Sequence, residues 1–174
     1  MARKDILLRL AGGDRRTTGR SDEVARMVSR NGELFPGLIA GLWSADPLVR
    51  MRAADVAEKV TRSNREVLGP YKKALLDLMV EVKEKEVRWH LAVMVPRLLL
   101  NAKERKLAVS VLNDYLEDDS SIVKTFALQG LADLTRDDPS LRPGVMELLR
   151  DAARNGTAAM KARSRKLLLH LEEV

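Results

Sequence analysis

Asp46-Pro47-Leu48-Val49-Arg50-Met51-Arg52-Ala53-Ala54-Asp55-Val56-Ala57-Glu58-Lys59-Val60 reads as one amphipathic helix. Asp46 is a capping residue, and Pro47 follows at the first helical position, where a missing N–H costs nothing. Val49, Ala53, Val56, Ala57 and Val60 recur at spacings of three and four, which gathers them on one face. The small residues Ala53, Ala54 and Ala57 let a neighbouring helix come close.

The pattern returns along the chain. Val87-Arg88-Trp89-His90-Leu91-Ala92 matches Val49-Arg50-Met51-Arg52-Ala53-Ala54, and so does Val123-Lys124-Thr125-Phe126-Ala127-Leu128. Met160-Lys161-Ala162-Arg163-Ser164-Arg165 is a weaker fourth copy. The anchors at 49, 87, 123 and 160 lie 38, 36 and 37 residues apart. A near-constant period of this size marks a repeat architecture, in which each unit buries its apolar face only against the next.

Composition agrees with helices. Of 174 residues, 45% are apolar but only 3% aromatic, so Leu, Val, Ala and Met must fill the core. With no cysteine, disulfides and thiolate metal sites are excluded, which fits a reducing cytoplasm. No apolar run reaches the roughly 18 residues of a membrane span. Arg9 and Gly12-Gly13 interrupt any signal-peptide core after Met1-Ala2-Arg3-Lys4-Asp5. The net charge of +6 sits at the ends: residues 1–30 carry eight basic and four acidic side chains, residues 157–174 four and two, and the body is balanced.

Taken in order, residues 3–11 predict a short helix with Ile6, Leu7 and Leu10 on one side. Residues 12–20 hold no apolar side chain and read as a flexible basic loop. A phosphate loop would need a Gly-Lys-Ser/Thr triplet opening a helix, and none is present. Ser21 is expected to cap a helix through about Arg30, with Asp22 and Glu23 in its first turn. Leu34 to Trp43 is the partner that precedes the opening stretch, and residues 70–82, 102–117 and 142–154 precede its later copies. Thr61-Arg62 followed by Pro70 recurs as Thr135-Arg136 followed by Pro143, a pair that ends one helix and a proline that opens the next. Asn101 and Glu104 have capping-box spacing. Gly156 is expected to end one helix and Thr157 to cap the last. Pro96 should kink the second copy.

Asp46, Val49, Arg50, Ala53 and Ala57, then Val87, Arg88 and Ala92, then Val123, Lys124 and Ala127 carry a resemblance to the HEAT repeat family. It covers about residues 33–172. The resemblance implies an all-α, right-handed superhelical solenoid of about four helical pairs (33–68, 69–101, 102–141 and 142–174) behind an N-terminal helical cap at 1–32. The fourth copy departs, with Met160 for valine and Ser164 and Arg165 at small or apolar positions, as a capping repeat would.

Two columns follow from that resemblance. In HEAT-like repeats the basic position pairs with an acid in the preceding turn, so Asp46–Arg50, Glu84–Arg88 and Asp119–Lys124 are expected to form a structural ladder of ion pairs. The second helix of each pair lines the concave side, which places Met51, Arg52, Asp55, Trp89, His90, Phe126, Arg163 and Lys166 on a recognition face. Trp, Met and Arg are what a recognition site uses. The competing view of Trp89 and Phe126 is that they pack against adjacent helices. His90 and His170, 80 residues apart with no cysteine to join them, read as ordinary helix residues; no metal or cofactor is expected. The reading is therefore a non-enzymatic, cytoplasmic, monomeric module that binds a protein or peptide on its concave face. The alternative is a nucleic-acid binder, including relatives of the HEAT-like alkylpurine DNA glycosylases, whose concave tryptophans and aspartate Trp89 and Asp55 superficially resemble.

Overall fold

The computed structural model describes residues 3–14 and 16–173. Arg15 of the predicted basic loop, together with Met1, Ala2 and Val174, lies outside the described residues. Ten α-helices and no strand are found among the described residues. Among the described residues no helix is long and apolar enough to cross a membrane. The chain divides into two compact units at Pro70 and Tyr71.

The first unit contains α1 (Arg3–Leu10), α2 (Ser21–Arg30), α3 (Phe35–Ala40) and α4 (Pro47–Thr61). Helix α4 is the quoted stretch. Asp46 Oδ1 accepts the Leu48 N–H at 2.8 Å, and Pro47 occupies the first turn. Ala53, Val56 and Ala57 are fully buried, against α1, α2 and α3. Ile6, Leu10, Val24 and Leu38 complete this core. Two local expectations need correction. Arg20 rather than Ser21 precedes α2, and Ser21 is buried as its first residue with a hydroxyl that finds no partner among the described residues. The Leu34–Trp43 segment also breaks: α3 ends at Ala40, and Gly41–Trp43 tightens to a 3-10 turn.

The second unit contains α5 (Lys72–Glu81), α6 (Lys85–Met94), α7 (Ala102–Leu116), α8 (Ser121–Leu134), α9 (Arg142–Asn155) and α10 (Ala158–Glu172). Helix α8 packs between α6 and α10, α7 packs on α8, and α9 packs on α10. Val87, Leu91, Ala92, Val123, Ala127 and Leu131 face this core, as the repeat register requires. Where α8 crosses α6, the helix needs Gly130, because a Cβ there would run into the Ala92 carbonyl oxygen. Ser164, in the place of Ala53, is likewise fully buried.

Helix ends follow the sequence closely. Asn101 and Glu104 form the reciprocal capping box at 2.9 and 2.8 Å, and Thr157 accepts from Met160 N–H. Thr61 and Thr135 close their helices by donating side-chain hydroxyls to Ala57 and Ala132 carbonyls at 2.8 and 2.7 Å. Pro96 does more than kink its helix: α6 stops at Met94, and Val95–Arg97 becomes a 3-10 turn, since proline supplies no N–H to extend the ladder.

Candidate functional site

Helices α6, α8 and α10 carry successive copies of the outward column. Trp89 on α6 and Phe126 on α8 are both half-buried, with ring centroids 4.9 Å apart and planes inclined by 27°. An offset pair at this separation is favourable beyond its buried area. Arg163 on α10 places its guanidinium carbon 5.2 Å from the Phe126 centroid. Its Nη1 donates to Gln129 Oε1 at 2.7 Å, and Gln129 Nε2 donates to Asp133 Oδ1 at 2.9 Å. A row of side chains thus runs Trp89–Phe126–Arg163–Gln129–Asp133 across three helices.

Phe126 and Arg163 also line an open groove of about 630 Å³ between α8 and α10. Ile122, Ala159 and Ala162 form its apolar wall, and Lys166 its exposed rim. The groove has two cations and no carboxylate in its lining. Ile122 is 42% exposed, a large apolar side chain left at the surface beside the aromatic pair.

His90 is only 2% exposed and does not face out. Its Nδ1 donates to the Glu86 carbonyl at 2.5 Å, and its ring stacks on Trp89. It supports the tryptophan from beneath rather than presenting a surface.

Arg52 is the larger correction. The helical register turns it away from the α4 core, yet it is 2% exposed. The loop after α1 folds over it. Nη1 donates to the carbonyls of Leu10 and Gly12 at 2.8 and 2.6 Å, and Nη2 to those of Asp14 and Thr17 at 3.1 and 3.3 Å. Gly19, at φ +54°, passes so close that a Cβ would lie 2.7 Å from the guanidinium carbon. Asp55, on the same helix, is half-buried and bonds Lys59 at 2.8 Å, which also bonds Asp22 at 2.6 Å. Met51 is half-buried.

The basic ladder exists in a different form from the within-turn pairs expected. Arg50 donates to the carbonyls of Ser44 and Ala45, at 2.6 and 3.2 Å, while Asp46 caps the helix. Arg88 donates to the Val82 carbonyl at 2.8 Å and finds a carboxylate on Asp118, at 2.5 Å and thirty residues on. Its guanidinium also lies 5.1 Å from the Tyr115 ring centroid. The Tyr115 hydroxyl donates to the Met79 carbonyl at 2.6 Å, and burial pushes its pKa upward. Among the described residues no ion pair joins Lys124 to Asp119. Glu84 precedes α6 as its N-cap residue without a side-chain capping bond. The basic side chains tie turns together; Arg88 also reaches the next helical pair.

Asp133 was missed from the sequence. It sits four residues beyond Gln129 on α8, an i,i+4 relation that predicts their hydrogen bond. Burial holds its pKa above the usual carboxylate range, against the hydrogen bond from Gln129 and the positive field of Arg136, Arg97 and Arg163. Among the described residues no group of three or more His, Cys, Asp or Glu is placed to hold a metal ion.

These features define an all-helical protein with a cationic aromatic face on α6, α8 and α10. No protein-family model matches the chain, and no curated protein matches it. Among solved structures, an engineered protein crystallised by the Northeast Structural Genomics Consortium has a similar fold, with a TM-score of 0.64 over 98% of this chain and 80% of that one. The two are 17% identical, so the likeness is one of fold alone.

Proposed function

We propose that this chain is a non-enzymatic binding module, a HEAT-like solenoid that takes a peptide segment of a partner protein along α6, α8 and α10. The repeat period and the lateral packing of α6, α8 and α10 support the solenoid. The observation that carries the binding is the half-buried Trp89–Phe126–Arg163 array, opening onto an apolar groove with a cationic rim. Large rigid rings and an arginine held in place are the groups that dominate binding energies. The groove's charge selects for a segment with apolar side chains flanked by carboxylates.

Nucleic acid is the second reading, favoured by Arg163 and Lys166 beside stacked rings. Arg52 lends it nothing, since its guanidinium is enclosed by loop carbonyls.

Selection of displayed random peptides on the folded chain tests the reading. Enriched peptides should combine Asp or Glu with Leu, Ile, Phe or Trp. In titration calorimetry Trp89→Ala should bind the best peptide about tenfold to thirtyfold more weakly, and Trp43→Ala should bind it unchanged. Equal affinities for wild type and Trp89→Ala would remove the site. Single-stranded DNA or RNA bound with steep salt dependence, in place of any peptide, would establish the second reading.

A further inference from the structure

A second cavity, of about 400 Å³, lies where the C-terminal end of α8 meets the start of α9 and the end of α10. It is separate from the groove and shares no lining residue with it. Ala132, Leu167 and Leu171 give it an apolar floor, all three buried. Asp133, Arg136 and Arg142 supply its charges.

Arg136 lies within electrostatic reach of Asp133 without closing an ion pair with it among the described residues. Asp133 uses Oδ1 to accept from Gln129, and among the described residues it forms no ion pair. Arg142 has a buried Nε without a hydrogen-bond partner among the described residues, and its side chain lines the cavity. A buried donor with no acceptor is costly, and a carboxylate partly withdrawn from water gains from a cation beside it. One cavity therefore offers a carboxylate, two guanidinium groups of which one has an unpartnered Nε, and apolar surface. Its volume lies near the lower end of the roughly 300–1,000 Å³ of small-molecule sites.

We propose that this cavity binds a small amphoteric molecule of the apolar α-amino-acid class. The ammonium group meets Asp133, the carboxylate meets Arg142 with Arg136 beside it, and the side chain lies on Leu167 and Leu171. A ligand carrying only one charge would meet either Asp133 or Arg142 and gain nothing from the other.

Two ligand series separate these contributions. L-leucine is compared with 4-methylpentanoate, which lacks the ammonium, and with 3-methylbutylamine, which lacks the carboxylate. L-phenylalanine is compared with 3-phenylpropionate and 2-phenylethylamine in the same way. Binding is read from amide shifts in α8, α9 and α10 on the full chain. An amino acid should bind at least about tenfold more tightly than either of its truncated forms. Asp133→Asn should erase the advantage over the acid, and Arg142→Gln the advantage over the amine, each with helical content intact. Amide shifts confined to other helices would overturn the proposal. So would an acid or amine that binds as well as its amino acid, or no response to either amino acid at about 10 mM, a concentration that reaches very weak sites. If a variant fails to fold, the comparison of the three wild-type affinities still decides the matter.

Discussion

Arg163 on α10 and Gln129 on α8 are joined by a 2.7 Å hydrogen bond, and the same guanidinium lies 5.2 Å from the Phe126 centroid. One side chain thus makes a directional contact and a facial contact to the same neighbouring helix. The bond also orients the Gln129 amide, whose nitrogen is left to donate to Asp133.

Arg163→Ala should therefore lower stability by about 1–2 kcal/mol, from one hydrogen bond and one cation–π contact at a half-buried site. Arg163→Lys should recover less than half of it. An ammonium cannot lie flat on Phe126 while donating to Gln129. Urea unfolding of the three proteins measures both effects. A lysine variant as stable as wild type would show that charge alone matters there.

In the first unit, Arg52→Ala should release the loop between α1 and α2. Four carbonyls lose their donor, and the expected cost is about 2–3 kcal/mol for a charged hydrogen-bonding group removed from the interior. Arg16 and Arg20 then become good trypsin sites. Cleavage after either should rise at least several-fold in Arg52→Ala, with Arg52→Lys between the two. Unchanged cleavage and unchanged urea midpoint would mean that the loop is ordered by something else.

The difference between Arg52 and Trp89 explains how far the sequence can be read. Trp89 and Phe126 were found because repeat alignment places both in one outward column, and α6 and α8 do lie side by side. The same alignment puts Arg52 in that column, yet the residue is 2% exposed. Its guanidinium is held by the backbone carbonyls of Leu10, Gly12, Asp14 and Thr17. A pattern of side-chain types carries no record of backbone oxygens. Arg88 was misassigned for a related reason. Its acid, Asp118, belongs to the next helical pair, and spacing within one unit points only to Glu84. The burial of Asp133 depends on cover from α9 and α10, so its own helix shows no more than the i,i+4 relation to Gln129.

The crossing of α6 and α8 gives a sharper test of register. Gly130→Ala would force a methyl group against the Ala92 carbonyl oxygen, which is backbone and has little room to retreat. Overpacking of this kind costs about 1–3 kcal/mol. An exposed helical glycine changed to alanine gains up to about 1 kcal/mol, so the sign distinguishes the two situations. Gly144, near the start of α9, has open space where its Cβ would be, and is the control. Gly130→Ala should melt lower than wild type and Gly144→Ala should not. A stabilised Gly130→Ala protein would contradict the close approach of the two helices.

Asp133 predicts a pH dependence opposite to that of the paired acids. Hydrogen bonds from Lys72 and the Asn101 backbone hold Glu104 below its usual range, and the Ser140 hydroxyl does the same for Asp138. A carboxylate depressed in this way favours the folded state above its unfolded pKa, and that contribution is lost as pH falls through the folded value. Asp133 is raised instead, chiefly by burial. Its folded state binds a proton more readily than the unfolded chain does, so its contribution is present at low pH and is lost as pH rises through the raised value. At neutral pH the ionised group is a net burden on the fold. Asp133→Asn keeps an oxygen to accept from Gln129 and removes the charge. It should melt higher than wild type at neutral pH, by about 2–4 °C for each 1 kcal/mol relieved in a chain of this size. The gain should shrink as pH falls and vanish once wild-type Asp133 is protonated. Taking the difference between the two proteins cancels the titrations of Glu104 and Asp138. Thermal melts across the acid-to-neutral range, with the Asp133 carboxyl carbon followed by NMR, measure both the difference and the titration behind it. A difference independent of pH, or a carboxyl that titrates in the ordinary aspartate range, would show that burial does not govern this group.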